Sequence, residues 1–365
     1  MDTGSYTFKA LSTKYEDFRG PSFSVKVDGT ELDSNQMPII SLEVELSADG
    51  SAGGCRFAVE SLYDHEKGKW INNLEKTIKV GAKLEVQGGY VKREEIFYGY
   101  VDEFSLQHSG HGAPRLSVTG IDGFGYLMSC QQPIYGGQKQ PQKVVEEILD
   151  KAVSAGYAKK KTVGNLGGFT IPTIKERMDD YRFLRLLAER YCMSVFSVDG
   201  ELIFDNVAKN SSSLITLTVG AGLLDFEKRL SLRGQVGQVE IWGRDVNQGF
   251  IKGVADSVSV GGSGKSAAEI ASGFKTAAVR QYSEYVRTEE ECVKLAQAKL
   301  DSIAMSFVHG RGVCVGLPEL IPGRYLTIEG IDGAVEGDYF ITKVRHRFSR
   351  EGYYTMFEVK GAKTP

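Results

Sequence analysis

Cysteine is scarce and scattered. Cys55, Cys130, Cys192, Cys292 and Cys314 are odd in number and form no C-x-x-C pair, so neither a disulfide framework nor a zinc cluster is indicated and they read as reduced, mostly buried thiols. Charge of one sign is missing too. With a formal net charge of -3 and a pI near 6.1, the chain has no field that would hold a polyanion, and the short basic run Lys159, Lys160 and Lys161 reads as a solvated loop, so no nucleic-acid partner is expected. No apolar run approaches the length of a membrane span, and the opening MDTGSYTFKALSTKYEDFRG lacks the apolar core of a secretion signal. Neither membrane insertion nor export is expected, and folding would take place in a cytoplasm.

What is present is an ordinary globular composition, 41% hydrophobic and 25% charged over 365 residues, enough for two or three domains. The strongest signal is a repeat. Gly81 to Gly120 reads as a three-stranded antiparallel meander, and Gly323 to Gly361 writes it again. Gly81, Leu84, Val86 and Gly88 keep the spacing of Gly323, Leu326, Ile328 and Gly330. Phe97 and Val101 keep that of Phe340 and Val344, and Leu116, Val118 and Gly120 keep that of Phe357, Val359 and Gly361.

The fold class expected is mainly β with an α+β insertion: two related antiparallel β-barrels plus a smaller α/β domain. After a lead over 1–20, the first barrel domain should occupy 21–130, opened by the alternating strands Phe23 to Val27 and Ile40 to Leu46, with Asp28-Gly29 as a tight turn. Cys55 to Val59 is a third strand, and Trp70 to Leu74 reads as a short helix. An α/β domain over 131–212 carries one helix ending near Gly156 and another from Asp179 to Tyr191, followed by a hairpin through Asp199-Gly200. The second barrel domain should comprise 213–250 and 285–365. Its first hairpin pairs the strand of Leu224, Phe226, Leu230 and Leu232 with that of Val239 and Ile241. Between them, 251–284 reads as a flexible excursion with the low-complexity core Ala255 to Gly273. Thr288 and Glu291 form a capping box, worth about 1 kcal/mol, at the start of a long amphipathic helix.

Candidate chemistry is thin. Ser259 to Ser266, SVGGSGKS, resembles a phosphate-binding loop, but Ser259 stands where the first glycine must be, and Lys265 should be exposed and mobile. His108 and His111 have H-x-x-H spacing at a hairpin tip without a third ligand, and His309 and His346 are single histidines beside strands. Ser263 has Gly261 before it but Lys265 where a nucleophile elbow requires glycine. No catalytic, cofactor-binding or metal-binding residue is assigned, and no cofactor is expected.

From Asp180 to Phe204 the chain resembles the phage late control gene D family, the tail hubs of contractile-tailed phages, and the matching N-terminal part of VgrG proteins. The carrying residues are Tyr181, Phe183-Leu184, Leu187-Ala188-Glu189, Phe196 and Asp199-Gly200. Cys192 replaces a glycine usual after the helix. Phe97-Tyr98-Gly99 and the segment from Pro322-Gly323 through His346 and Tyr353 fit the same pattern. The resemblance implies a homotrimeric baseplate hub, each chain supplying two barrels, that adapts a sixfold tail tube to a trimeric spike in a phage tail, a tailocin or a related injection system. Because the chain stops at Pro365, the spike is expected to be a separate protein, and other partners would be the tube or its initiator and baseplate proteins. The alternatives are a β-rich glycan or peptidoglycan hydrolase using carboxylates and the hub of a non-contractile tail.

Overall fold

The computed structural model describes residues 4–32, 39–60, 63–64, 66–70, 77–109, 112–132, 140–166, 168–171 and 173–365. Its spine is a 13-stranded sheet that runs through both halves of the chain. The first half supplies β1 (Ser22–Val27), β2 (Ile39–Ser47), β3 (Gly54–Glu60), β4 (Lys83–Gly89), β5 (Arg93–Ser109) and β6 (Gly112–Ile121). Along the sheet they stand in the order β1-β4-β5-β6-β3-β2, with the two-residue strand Thr30–Glu31 outside β1 as the sheet's thirteenth. The second half supplies β10 (Ser213–Val219), β11 (Gly222–Leu230), β15 (Val308–Val315), β16 (Tyr325–Glu329), β17 (Gly337–Ser349) and β18 (Gly352–Gly361). These stand in the order β10-β16-β17-β18-β15-β11, and a two-residue parallel contact of β10 with β11 closes them into a six-stranded barrel.

The two orders match strand for strand, and two irregularities fall at the same places. A bulge separates Val101 from Glu103 on β5 and Ile341 from Lys343 on β17. Another separates Ile39 from Ser41 on β2 and Leu223 from Asp225 on β11. Bulges fix register because each inserts one residue into a ladder of period two. Aligned on them, Glu43 opposite Arg56 in the first half becomes Glu227 opposite Arg311 in the second. The ladders also correct the repeat spacing: Lys83 faces Tyr100 as Tyr325 faces Phe340, so Phe340 corresponds to Tyr100 and not to Phe97. The hairpin turns differ in length, and a spacing read across them slips.

Alternation drives the burial. Leu42, Val44 and Leu46 on β2 and Val344, His346 and Phe348 on β17 face inward, while Glu43, Glu45, Lys343, Arg345 and Arg347 face out. Each apolar chain so buried is worth roughly 1.5–3 kcal/mol. Because β2 pairs with β17, one apolar core runs from Val25 and Phe97 through to Tyr325 and Phe357.

A second core gathers the intervening segments. Helix α3 (Pro141–Ser154) begins with proline in its first turn, and Gly156 follows it in the left-handed region at φ 78°. Helix α4 (Asp180–Tyr191) is capped by Asp179, which accepts from Arg182 N at 2.8 Å, and buries Tyr181, Leu184, Leu187 and Tyr191. Cys192 closes it at φ 51°, a left-handed position that costs a non-glycine residue about 1–2 kcal/mol. Strands β7 (Lys160–Val163), β8 (Ser194–Val198) and β9 (Glu201–Asp205) form a small sheet beneath these helices. The basic run is therefore not a solvated loop: Lys160 and Lys161 lie on β7, and Lys159, Lys160 and Lys161 pair with Glu95, Glu201 and Asp150.

Two further expectations give way. Val239 and Ile241 do not pair with β11. They lie on β12 (Gln238–Asp245), which with β13 (Gly249–Ala255) and β14 (Ala278–Tyr282) forms a separate sheet. That sheet packs on α5 (Glu289–Ala304), with Gly253 so close to the helix that a Cβ would stand 2.2 Å from Val293 N. The partner of β11 is β15, since both hairpin candidates alternate alike and only the ladder separates them. Nor is 251–284 a flexible excursion. Ser259 donates N–H and O–H to Asp301, Val260 is buried, and Lys265-Ser266 pairs with Lys363-Thr364. Glycine and serine composition registers small side chains, not a lack of partners. Thr288 and Glu291 do form the capping box of α5, at 3.1 and 3.2 Å. Of the short helix expected at Trp70 to Leu74, only Trp70 is among the described residues, opposite Tyr63 in a two-residue ladder.

Candidate assembly interface

A chemically distinctive surface is the outward face of the shared sheet. On β2 and β17 it is an acidic strand laid against a basic one. Arg345 Nε lies 2.9 Å from Glu45 Oε2, and Lys343 Nζ lies 2.6 Å from Glu45 Oε1. Partial burial alone would raise the Glu45 pKa, but hydrogen bonds from Lys343 and Arg345 prevail and hold the carboxylate below its ordinary value. The hydrogen bond to Glu45 likewise raises Arg345. The ladder continues around the barrel, where Glu227 accepts from Arg229 and Arg311, each at 2.6 Å. Two shallow hollows of about 410 and 280 Å³ lie on this face, between Asp225, Arg311, Arg345 and Met356 and between Glu227, His309 and Lys360. With charges of both signs paired along strands, the face suits broad contact or a hydrated wall better than capture of one small ion.

Beneath the junction a partly buried polar network ties the halves together. Helix α1 (Phe8–Lys14) and the turn after it bring Tyr15 Oη to 2.6 Å from Glu319 Oε1. Lys14 bridges Glu319 in the second half to Glu94 in the first, at 2.8 and 2.6 Å. His346 lies fully buried, with Tyr353 Oη and Thr355 Oγ1 at 2.9 and 3.2 Å from its Nδ1. Burial pushes its pKa down to about 3, so it is a neutral core residue. Asp122 is the first half's counterpart in burial. It accepts from Gly53 N at 2.6 Å and, as the cap of α2 (Gly123–Met128), from Phe124 N at 2.9 Å. Desolvation outweighs both bonds and raises it to about 7.

The residues singled out in the sequence do not come together. His108 packs its ring against Tyr63 and Trp70, with centroids 4.6 and 5.9 Å away, and His111 lies outside the described residues. His309 is exposed on β15, and Ser263 and Lys265 are exposed on a segment held by the C-terminal strand. The N–H of Ser266, which a phosphate would need, donates to Glu269 at 2.6 Å. Among the described residues no group of three histidine, cysteine, aspartate or glutamate side chains is placed to hold a metal. Sequence reasoning missed the Glu45 ladder, although its signal was present: acids alternate along 41–45 and bases along 343–347.

A family model described as the Alg8 N-terminal domain matches residues 19–350. Among curated proteins no sequence matches significantly. Among solved structures, the 43 kDa tail protein of prophage MuSo2 from Shewanella oneidensis superposes with a TM-score of 0.66 at 16% identity, covering 93% of this chain and 98% of that one. The tail protein from Neisseria meningitidis gives 0.62 at 15% identity over 93% and 96%. The Escherichia coli c3393 protein, described as a component of the type VI secretion system similar to the T4 tail proteins gp27 and gp5, gives 0.51 at 15% identity over 92% and 76%. At these identities the likeness is one of fold, and the fold is that of phage tail proteins.

Proposed function

The chain belongs to the Alg8 N-terminal domain family; from its tail-protein fold we propose that it is a structural baseplate hub. On this reading three copies form a ring of six barrel units that joins a sixfold tail tube to a trimeric spike, in a contractile tail or a related injection system. The finer kinship, with the late control gene D and VgrG hubs, is part of the same proposal.

One observation carries it: a single chain holds the same six-strand order twice, with matching bulges, joined edge to edge by β2 and β17. Duplication answers a symmetry mismatch. A tube of six identical subunits ends in six equivalent surfaces, whereas a trimeric spike offers three, and a trimer of duplicated chains presents both. The paired charges of the outward face then form a hydrated wall or a broad contact surface, and the second core, with α3, α4 and α5, lies at the periphery and marks the threefold repeat. The chain acts by binding and not by catalysis, with tube, spike and baseplate proteins as partners. Native mass measurement of the purified protein, alone and with its spike, tests this: three chains are expected, and a stable monomer in both states contradicts it.

A further inference from the structure

The junction within the chain predicts the junction between chains. Inside one copy, β2 and β17 pair antiparallel over six residues, from Ser47 opposite Lys343 to Leu42 opposite Phe348. By strand order and bulge position, β17 corresponds to β5 and β2 to β11. Among the described residues, both of these counterparts have an open edge: Glu103 to Gln107 on β5 pair only with β6, and Asp225 to Leu230 on β11 pair only with β15. Open edges of this length are ready templates for another strand.

The side chains on those edges are incomplete in the same sense. Leu106 is 43% exposed and Leu230 53%, although their counterparts His346 and Leu46 are buried by the internal junction. Charge follows the geometry too. Lys343 reaches diagonally to Glu45 across the internal junction at 2.6 Å. The corresponding pair is Glu103 and Arg229: the signs are exchanged, and the attraction is kept. Arg229 is held ready on the outward face by Glu227 at 2.6 Å.

We infer that β11 of one copy pairs antiparallel with Glu103 to His108 of β5 in the next copy, placing Ser231 opposite Glu103, Leu230 opposite Phe104 and Arg229 opposite Ser105. The inference rests on the trimeric reading and gives it an interface. The contact is heterologous, one edge meeting a different edge, so it propagates around a ring and closes when the rotation at each junction is that of the ring. Internal and external junctions then alternate, and the sheet passes through every unit.

The test uses the full chain. With Ser105→Cys and Arg229→Cys combined, a short bis-maleimide should link chains into covalent species up to trimers on a denaturing gel, and neither single variant should give that ladder. Separately, Glu103→Arg should weaken trimer association about tenfold by native mass measurement across a dilution series. Adding Arg229→Glu should restore it, a rescue that misfolding would not produce. A wild-type trimer whose double-cysteine variant stays unlinked, and whose association is indifferent to Glu103→Arg, overturns the strand pairing and leaves the trimeric reading standing. A wild-type chain that remains monomeric alone and with its spike overturns both.

Discussion

The two halves of the sheet share an order and differ in how they end. In the first, β1 runs antiparallel to β4; in the second, the corresponding β10 runs parallel to β16 and touches β11 to close the barrel. In the first, the edge of β2 is occupied by β17; in the second, the edge of β11 beyond Leu223 is open among the described residues. The lesson is that duplication preserved the meander and its bulges, where register is fixed by geometry, and let the terminal strands diverge, where each half meets a different neighbour.

The largest expected effect comes from striking the occupied edge. Val44 is fully buried opposite His346, so Val44→Lys would bury a charge without a partner and should destabilise the fold by about 3–5 kcal/mol. Because the halves share one core, chemical denaturation should show the loss in a single transition; a variant in which one half melts alone would separate what the shared sheet joins. Next is the tie across the halves. Tyr15→Phe leaves Glu319 without its hydroxyl donor and should cost about 1–3 kcal/mol in the same measurement, whereas an unchanged midpoint would remove the N-terminal segment from the junction.

The halves should also respond oppositely to pH. His346 has a folded pKa of about 3, below its ordinary 6.5, so the folded state resists a proton that the unfolded chain accepts. Its contribution is complete above about pH 6.5 and is lost as pH falls toward 3, at up to about 1.4 kcal/mol per unit. Asp122 is raised from 3.8 to about 7, so its folded form keeps a proton longer. That contribution is complete below about pH 4 and is lost as pH rises through 7. Urea midpoints between pH 4 and 7 should therefore vary little in the wild type, fall more steeply on acidification in Asp122→Asn, and rise on acidification in His346→Gln. Identical profiles for the two variants would sink this assignment. The smallest effect belongs to the outward ladder. Glu45→Gln, at a screened and half-exposed site, should cost about 1 kcal/mol or less and become neutral in high salt.

Much of this fold was legible in the sequence. Leu42, Val44 and Leu46 announced a strand with one dry face, the capping box at Thr288 announced α5, and the glycine-framed repeat announced two like units. What failed did so for physical reasons. Val239 and Ile241 alternate as well as any barrel strand, and nothing local says that their partner is β13 and not β11. The SVGGSGKS segment reads as mobile because its anchor, Lys363-Thr364, lies about a hundred residues away and strand pairing of that range leaves no local trace. The candidate interface was half visible: the acids near Glu43 and the bases near Arg345 are apparent in the sequence, but their meeting depends on an edge-to-edge pairing between halves that neither strand encodes alone.

On the hub reading, one duplicated chain supplies two equivalent places in a ring. Electron microscopy of the protein bound to its spike, reconstructed without imposed symmetry, should show three chains around the axis and six barrel densities at near-equal spacing, with a strand-to-strand junction at every boundary. Six chains around the axis, or three chains whose second barrels lie outside the ring, would contradict it.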